Sequence, residues 1–485
     1  MEPIFSRRAI WKGILASSCS HFLFAKGAAA ASNDLAARLA DYASSLRYDD
    51  LPPSTVAAAK AHLIDALGCG IAALDEGPIV AVRELSGTAN GPCTLLGSAR
   101  QTSVEWAAFA NGCAIREFDL NDFYTGHDTG HPSDHIAACF AVGEMNGNDG
   151  KEVITAIVLA YEIMCHLLDG PSLRARGFDH PAYSLVAVAL AAGRLMKLPP
   201  AQLAQAVNIA LGAHIPLFQT RSDTISNWKG MADAEAARTA IVSALLAGKH
   251  ISGPSPIFEG KAGFMKVVSG EFELDLTGFG GKSRPFKIDD VRYKFYPAQA
   301  FIQTAVPAAA ALHAQIRGAK IKKVEITTTK SAKDVAANAP EKWAPTTSET
   351  ADHSLPFAVV RTLLDGRLSV HSYAEGKLRD PKAAAILKST TVVEDPALTA
   401  MVPARATNRI AVTLEDGRTL SEQRDDLPGF PGHPVQRSDI EEKFESNVGD
   451  IWPADQRRRI LETAWSLEDQ PNVGSFMQSL AITGR

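Results

Sequence analysis

Cysteine is scarce in this chain and never arranged for ligation. Cys19, Cys69, Cys93, Cys113, Cys139 and Cys165 are scattered without a C-x-x-C pair. That excludes a disulfide framework, a zinc site of the usual spacing and an iron–sulfur cluster, and leaves small buried hydrophobes. No long Lys/Arg run occurs and the net charge is −5, so nucleic acid and anionic membranes are poor partners. There is no G-x-S-x-G elbow and no G-x-G-x-x-G after a strand, so a hydrolase nucleophile and a dinucleotide fold lack support. Gly281-Lys282-Ser283 imitates the end of a P-loop, but Leu276 stands where the first glycine belongs. What remains is ordinary globular material: 485 residues, 46% hydrophobic and 21% charged, enough for two to four domains.

Residues 1–31 differ from the rest. Ser6-Arg7-Arg8-Ala9-Ile10-Trp11-Lys12 resembles a twin-arginine export signature, followed by an apolar stretch from Gly13 to Ala25 and by Ala29-Ala30-Ala31. The stretch is too short to span a bilayer, which takes roughly 20 residues, but it suits a signal peptide. The expectation is a periplasmic protein with no membrane contact once the signal is removed, and a cytoplasmic one otherwise.

From Asp34 to about Leu274 the texture is helical. Ala-rich stretches recur at 153–168, 182–197, 201–213 and 231–248, and Ser54 after Pro52-Pro53 reads as an N-cap. After Gly278-Phe279-Gly280-Gly281 the pattern changes. Ile321–Thr329 and Arg409–Leu414 alternate like strands, with helical stretches at 353–366 and 381–388 between them. Helical spacing returns at 439–448 and 454–468. These patterns predict a mainly α protein: a large helical domain (32–281 and 426–485) with an inserted, smaller α+β lid domain (282–425).

Chemistry-bearing residues concentrate in Arg116-Glu117-Phe118-Asp119-Leu120-Asn121-Asp122 and Gly130-His131-Pro132-Ser133-Asp134-His135. Pro132 and Ser133 suit a first helical turn, so His131 would stand at a helix mouth, where free N–H groups favour an anion. His127, His131 and His135 are spaced by four, but Gly126, Gly130 and Pro132 break any helix that would align them on a metal. No metal site is expected; the plain alternative is solvated loop histidines. His180, in Phe178-Asp179-His180-Pro181, also precedes a helix; alone it reads as a capping residue. Lys229 starts the 231–248 helix, and Lys294 lies among aromatics at 292–297; alone these read as an exposed lysine and part of an edge strand. Taken together, two histidines and two lysines suit a small molecule carrying several carboxylates.

With these residues assembled, the chain resembles the MmgE/PrpD family. The matching blocks are Asp119-Leu120-Asn121-Asp122, Gly130-His131-Pro132-Ser133-Asp134, Phe178-Asp179-His180, Lys229, Ser252-Gly253-Pro254 to Glu259-Gly260, Lys294–Pro297 with Gln303-Thr304-Ala305, and Asp352-His353-Ser354-Leu355-Pro356. The resemblance implies a helical domain with a lid, a homodimer, and a cofactor-independent lyase. The implied reaction is dehydration of a 2-hydroxy tricarboxylate of the 2-methylcitrate kind. Decarboxylation or epimerisation of a related acid, or carboxylate binding without turnover, are the alternatives. Carried over, the catalytic residues are Asp119, His131 and His180, and the substrate-binding residues are Lys229 and Lys294. Two positions depart from the family pattern: Phe123 where a threonine is usual, and Phe357 where a tyrosine commonly closes the S-L-P block. Each removes a hydroxyl that could bond substrate.

Overall fold

Alanine lets these helices lie close, and each Ala-rich stretch is one helix. A computed structural model describes residues 34–482, Pro403 and Pro431 excepted. The export segment at 1–31 and Cys19 lie outside the described residues. The first helices are α1 (Leu35–Ser45), α2 (Pro53–Ala72), α3 (Gly77–Ser86) and α4 (Val104–Arg116). Then follow α5 (Ile136–Asn146), α6 (Gly150–Leu168), α7 (Pro181–Leu195), α8 (Pro200–Ala213) and α9 (Ala232–Gly248). The two-residue ribbons β1 (Cys93–Thr94) with β2 (Gln101–Thr102), and β3 (Tyr124–Thr125) with β4 (Thr129–Gly130), punctuate the loops.

α7 is the centre, buried on every side from Pro181 to Gly193 and packed against α6, α8 and α9. A helix that is apolar all round belongs in a core. α6 starts with a reciprocal cap, in which the Asp149 carboxylate accepts from Glu152 N at 2.8 Å and Glu152 accepts from Asp149 N at 3.2 Å. Ser54 is not the cap of α2: Pro52 holds that position and Pro53 opens the helix, so the chain's fixed φ does the work instead. The five described cysteines are all buried and unpaired.

Further on come α10 (Ala305–Ile316), β5 (Ile321–Thr328), α11 (Lys330–Ala336), α12 (Pro340–Trp343), α13 (Ser348–Ala351), α14 (Leu355–Asp365), α15 (Glu375–Leu378) and α16 (Pro381–Leu387). β6 (Thr390–Glu394), α17 (Pro396–Thr399), β7 (Asn408–Leu414) and β8 (Thr419–Arg424) complete this part. One four-stranded sheet runs β6-β5-β7-β8, with β5 and β6 parallel and the other pairs antiparallel. α10 and α14 cover its buried face, made of Val324, Ile326, Ile410, Val412 and Leu414. The 292–297 segment forms no strand; Arg292 makes a single bridge to Phe123.

The apolar interior is therefore in two parts. One gathers buried residues from 35–293 and 440–482, the other from 298–414. The closing helices α18 (Arg437–Val448), α19 (Ala454–Trp465) and α20 (Val473–Ser479) belong to the first. α18 lies along α2, where the Lys443 ammonium pairs with Asp65 and donates to the Leu120 carbonyl at 2.8 Å. The molecule is mainly α, and its site forms where these two interiors meet.

Candidate active site

α4 ends at Arg116, and three residues later Asp119 adopts a left-handed backbone with φ of 51°. A non-glycine residue there is strained and needs compensation. The compensation is ionic: the Asp119 carboxylate pairs with Arg116, with Lys294 at 2.9 Å and with Lys229 at 3.5 Å. Burial alone would raise its pKa, but the three cations outweigh burial and hold it well below the usual carboxylate range.

The D-L-N-D and H-P-S-D blocks are stitched to each other, which is why they occur as a set. Asn121 donates to Ser133 Oγ at 2.9 Å and Asp134 Oδ1 at 2.7 Å. Asp122 Oδ1 accepts from Ser133 N and Oγ at 3.0 and 2.6 Å, and Oδ2 accepts from Tyr161 at 2.7 Å and meets His62 Nδ1 at 2.9 Å. The Asp122 carbonyl lies 2.7 Å from His131 Nδ1. A carbonyl only accepts, so the proton is on Nδ1 and the Nε2 lone pair is free. Burial, followed by Arg116 and Lys294, holds the His131 pKa well below that of a free imidazole, so His131 is neutral.

His180 caps the mouth of α7 and, unlike His131, is charged. Its Nδ1 lies 3.1 Å from Asp179 and its Nε2 3.3 Å from Asp233. Burial would lower its pKa, but Asp233 and then Asp179 overcome that and raise it to about 9, against the nearby Arg221. Arg221 holds the same two acids, at 2.9 and 3.1 Å. The two imidazoles stand 5.7 Å apart, tilted by 63°.

All five residues singled out from the sequence are buried and belong to one constellation. Four of them (Asp119, His131, His180 and Lys294) line one cavity of about 290 Å³. Lys294 also donates to the Asp119 carbonyl at 3.0 Å, and burial pulls its pKa down to about 8. Lys229 stands behind the wall, 2.9 Å from Asp352 and beside Asp119, and does not reach the cavity surface. It orders the two acids rather than facing the space. Arg116, Arg221, Gln299, Lys342 and His353 also line the cavity, as do the acids Asp128, Asp179 and Asp223. The sequence assigned none of Arg116, Arg221, Gln299, Lys342 and His353 a role, since single Arg and Lys residues carry little local signal; Arg116 and His353 stood inside quoted blocks. A separate cleft of about 1170 Å³, beside α2 and residues 429–437, reaches His62 but holds neither His131 nor His180.

The three histidines spaced by four diverge. His127 is exposed with Nδ1 on the Gly170 carbonyl, while both ring nitrogens of His135 are buried without a hydrogen-bond partner among the described residues. Asp119, Asp352 and His353 bring possible ligand atoms within 4.8 Å of one another, but both carboxylates already neutralise Lys229 and Asp119 also takes Arg116 and Lys294. A dication added there would face three buried cations. Neither departing phenylalanine lines the cavity: Phe123 bridges to Arg292, and Phe357 stacks on Tyr373 in the smaller interior.

A mainly α protein with a cavity lined by five cations and four acids, and with one neutral and one charged histidine, has the equipment for proton transfer on a polyanion. The chain belongs to the MmgE/PrpD family: the family's N-terminal domain matches residues 37–277 and its C-terminal domain residues 296–469. It is 29% identical to 2-methylcitrate dehydratase of Cupriavidus necator over 456 residues, 87% of this chain and 92% of that one. The 2-methylcitrate dehydratase of Escherichia coli K12 is likewise 29% identical, over 470 residues, 88% and 94%. Human cis-aconitate decarboxylase is 24% identical over 379 residues, 75% and 76%.

Proposed function

We propose that this protein is a hydro-lyase that dehydrates a 2-hydroxy tricarboxylate of the 2-methylcitrate kind, with no cofactor in the reaction. The observation that carries this reading is the pairing of a neutral and a charged histidine across a small cavity walled by Arg116, Arg221, Lys294 and Lys342. At about 290 Å³ the space suits a small metabolite rather than a large ligand.

His131 Nε2 takes the proton from the carbon beside a carboxylate. The negative charge that develops on that carboxylate is stabilised by Lys294 and Arg116, preorganised by Asp119. The carbon–carbon double bond forms as the carbon–oxygen bond breaks, and His180 gives its proton to the departing hydroxide, which leaves as water. Its Nε2–H, on the longer of its two carboxylate contacts, is the one that turns to the leaving group. Environments that push two like residues apart in pKa assign acid and base. Lys229 serves by fixing Asp119 and Asp352.

The part of the fold built on the β5–β8 sheet acts as the lid expected over 282–425, although Phe286, Ile288, Val291 and Tyr293 pack in the helical interior and the sheet-side interior begins at Ala298. Gln299, Lys342 and His353, reaching the cavity from its side, support this. Residues 1–31 are a twin-arginine address to the periplasm, supported by Arg7-Arg8 and checked by cell fractionation. The assembled form is a homodimer, as the family resemblance implies, checked by light scattering. The reaction is tested by incubating the purified protein with 2-methylcitrate and citrate and following alkene absorbance in the ultraviolet. Carbon dioxide release would mark a decarboxylase, loss of optical rotation an epimerase, and calorimetric binding without product a carboxylate-binding protein.

A further inference from the structure

Five cations line the cavity: Arg116, Arg174, Arg221, Lys294 and Lys342. Arg116 and Lys294 are taken by Asp119, and Arg221 by Asp179 and Asp233. Arg174 is exposed at the rim, over the Phe218 ring at 4.9 Å. Lys342 differs from all of these. It is 6% exposed, yet its ammonium makes no hydrogen bond and no ion pair within 4.0 Å among the described residues. The acids that act on it, Asp352 first and then Glu341 and Asp119, do so from beyond ion-pair range, so a ligand carboxylate can supply the direct partner that its burial makes valuable.

Its position is built rather than incidental. The Ser354 hydroxyl donates to the Lys342 carbonyl and accepts from Phe357 N at 3.1 Å, tying the short α12 to the start of α14. Lys342 N donates to the Ala339 carbonyl at 3.0 Å, and Trp343 Nε1 to the Ala337 carbonyl at 3.1 Å. The backbone under Lys342 is thus held from both sides, and Asn338 lines the cavity from the same turn. Burial lowers the pKa of Lys342 to about 8 despite Asp352, as suits a group awaiting an anion.

We infer that Lys342 is a substrate-binding residue that takes the carboxylate remote from the histidine pair, and so makes the site select polycarboxylates over monocarboxylates. This rests on the proposed reaction and adds to it a residue from the smaller interior.

The test uses the whole chain with Lys342→Met, which keeps the apolar stem, and Lys342→Arg, which keeps the charge. Lys342→Met is expected to raise KM about 10- to 100-fold while kcat stays within about threefold, with Lys342→Arg recovering most of the loss. Tricarballylate, which has the three carboxylates but no hydroxyl to lose, should raise the wild-type Tm and raise that of Lys342→Met much less. Without ligand, Lys342→Met should melt no lower than wild type, because an unpartnered buried charge has gone. An active wild type with an unchanged KM in Lys342→Met overturns the inference alone. So does a ligand-free Tm well below wild type, which would make Lys342 structural. A wild type that neither turns over nor is stabilised by any tricarboxylate overturns the proposed reaction, and the inference with it.

Discussion

The two helix mouths that face the cavity carry the same residue in opposite states. At 131–136 the histidine points one nitrogen at a backbone carbonyl and shares its surroundings with Arg116 and Lys294. At 179–181 the histidine lies between Asp179 and Asp233. Both are buried and both precede a proline, His180 at the start of α7 and His131 at the start of a 3-10 turn (Pro132–His135) leading into α5. Asp179 is a local part of the difference, but burial does not separate them. Charges brought from other elements do: Lys294 and Asp233 lie far along the chain from the imidazoles they influence. The lesson is that a histidine's role is written in its spatial neighbours more than in its motif.

The largest effect that would break this contrast is on rate. His131→Ala should lower kcat about 10³-fold on a confirmed substrate, with an unchanged circular-dichroism spectrum, since general-base catalysis contributes roughly 10²–10⁴. Equal activity in the variant would remove His131 from the chemistry. Next, Asp233→Asn makes the second mouth more like the first. The His180 pKa should fall from about 9 toward neutrality, visible in a histidine NMR titration, and kcat should drop about 10- to 100-fold. A titration that does not move would show that Asp179 suffices.

How far the contrast was legible depends on how far each partner lies along the chain. The Ala-rich helices were read nearly residue for residue because their signal is periodic and local. β6 and β8 were missed for physical reasons. β6 is five residues pairing in parallel at the sheet edge, and β8 leaves every other residue exposed without burying a full face, so neither shows clean alternation. His131, His180, Asp119 and Lys294 could be picked out because helix mouths and compact motifs favour ligand chemistry. Arg221 and Lys342 could not: a single arginine or lysine looks solvated until the fold brings Asp179, 42 residues away, against Arg221, or buries Lys342 with no acid in direct contact. Lys229 was legible as important, but its place behind the wall was not.

A smaller effect sharpens the contrast in stability. The two mouths push the pH dependence in opposite senses. His180 has its pKa raised from 6.5 to about 9, so its pairing contributes on the order of 3 kcal/mol below pH 6.5, lost as pH rises through 9. His131 is depressed, as are His135 and His353, both held at about 4 by burial first. Unfolding lets each take up a proton below pH 6.5, so each withdraws about 1.4 kcal/mol per pH unit as pH falls from there toward its folded pKa. Urea melts between pH 6.5 and 4.5 should therefore show a steep acid loss. His353→Gln, which carries no titrating group, should make that loss shallower by one proton's worth; an unchanged slope would show that His353 is already charged in the folded protein.

The smallest expected effect concerns how His131 is held. The Tyr161 hydroxyl donates to Asp122 Oδ2 at 2.7 Å, which shares that oxygen with His62, while the other oxygen pins Ser133. None of these groups touches the cavity, but the Asp122 carbonyl fixes the His131 tautomer. Tyr161→Phe removes one of the acid's four partners and leaves the ring in place, so about 1 kcal/mol of stability should be lost, read as Tm. If Asp122 only braces the fold, kcat will not change. If it aims His131, kcat should fall about two- to fivefold while KM for the same substrate stays constant. His180, held by its own two acids, should titrate as before. A shift in His180 instead would mean the two mouths form one coupled network, and that their two protonation states are set together.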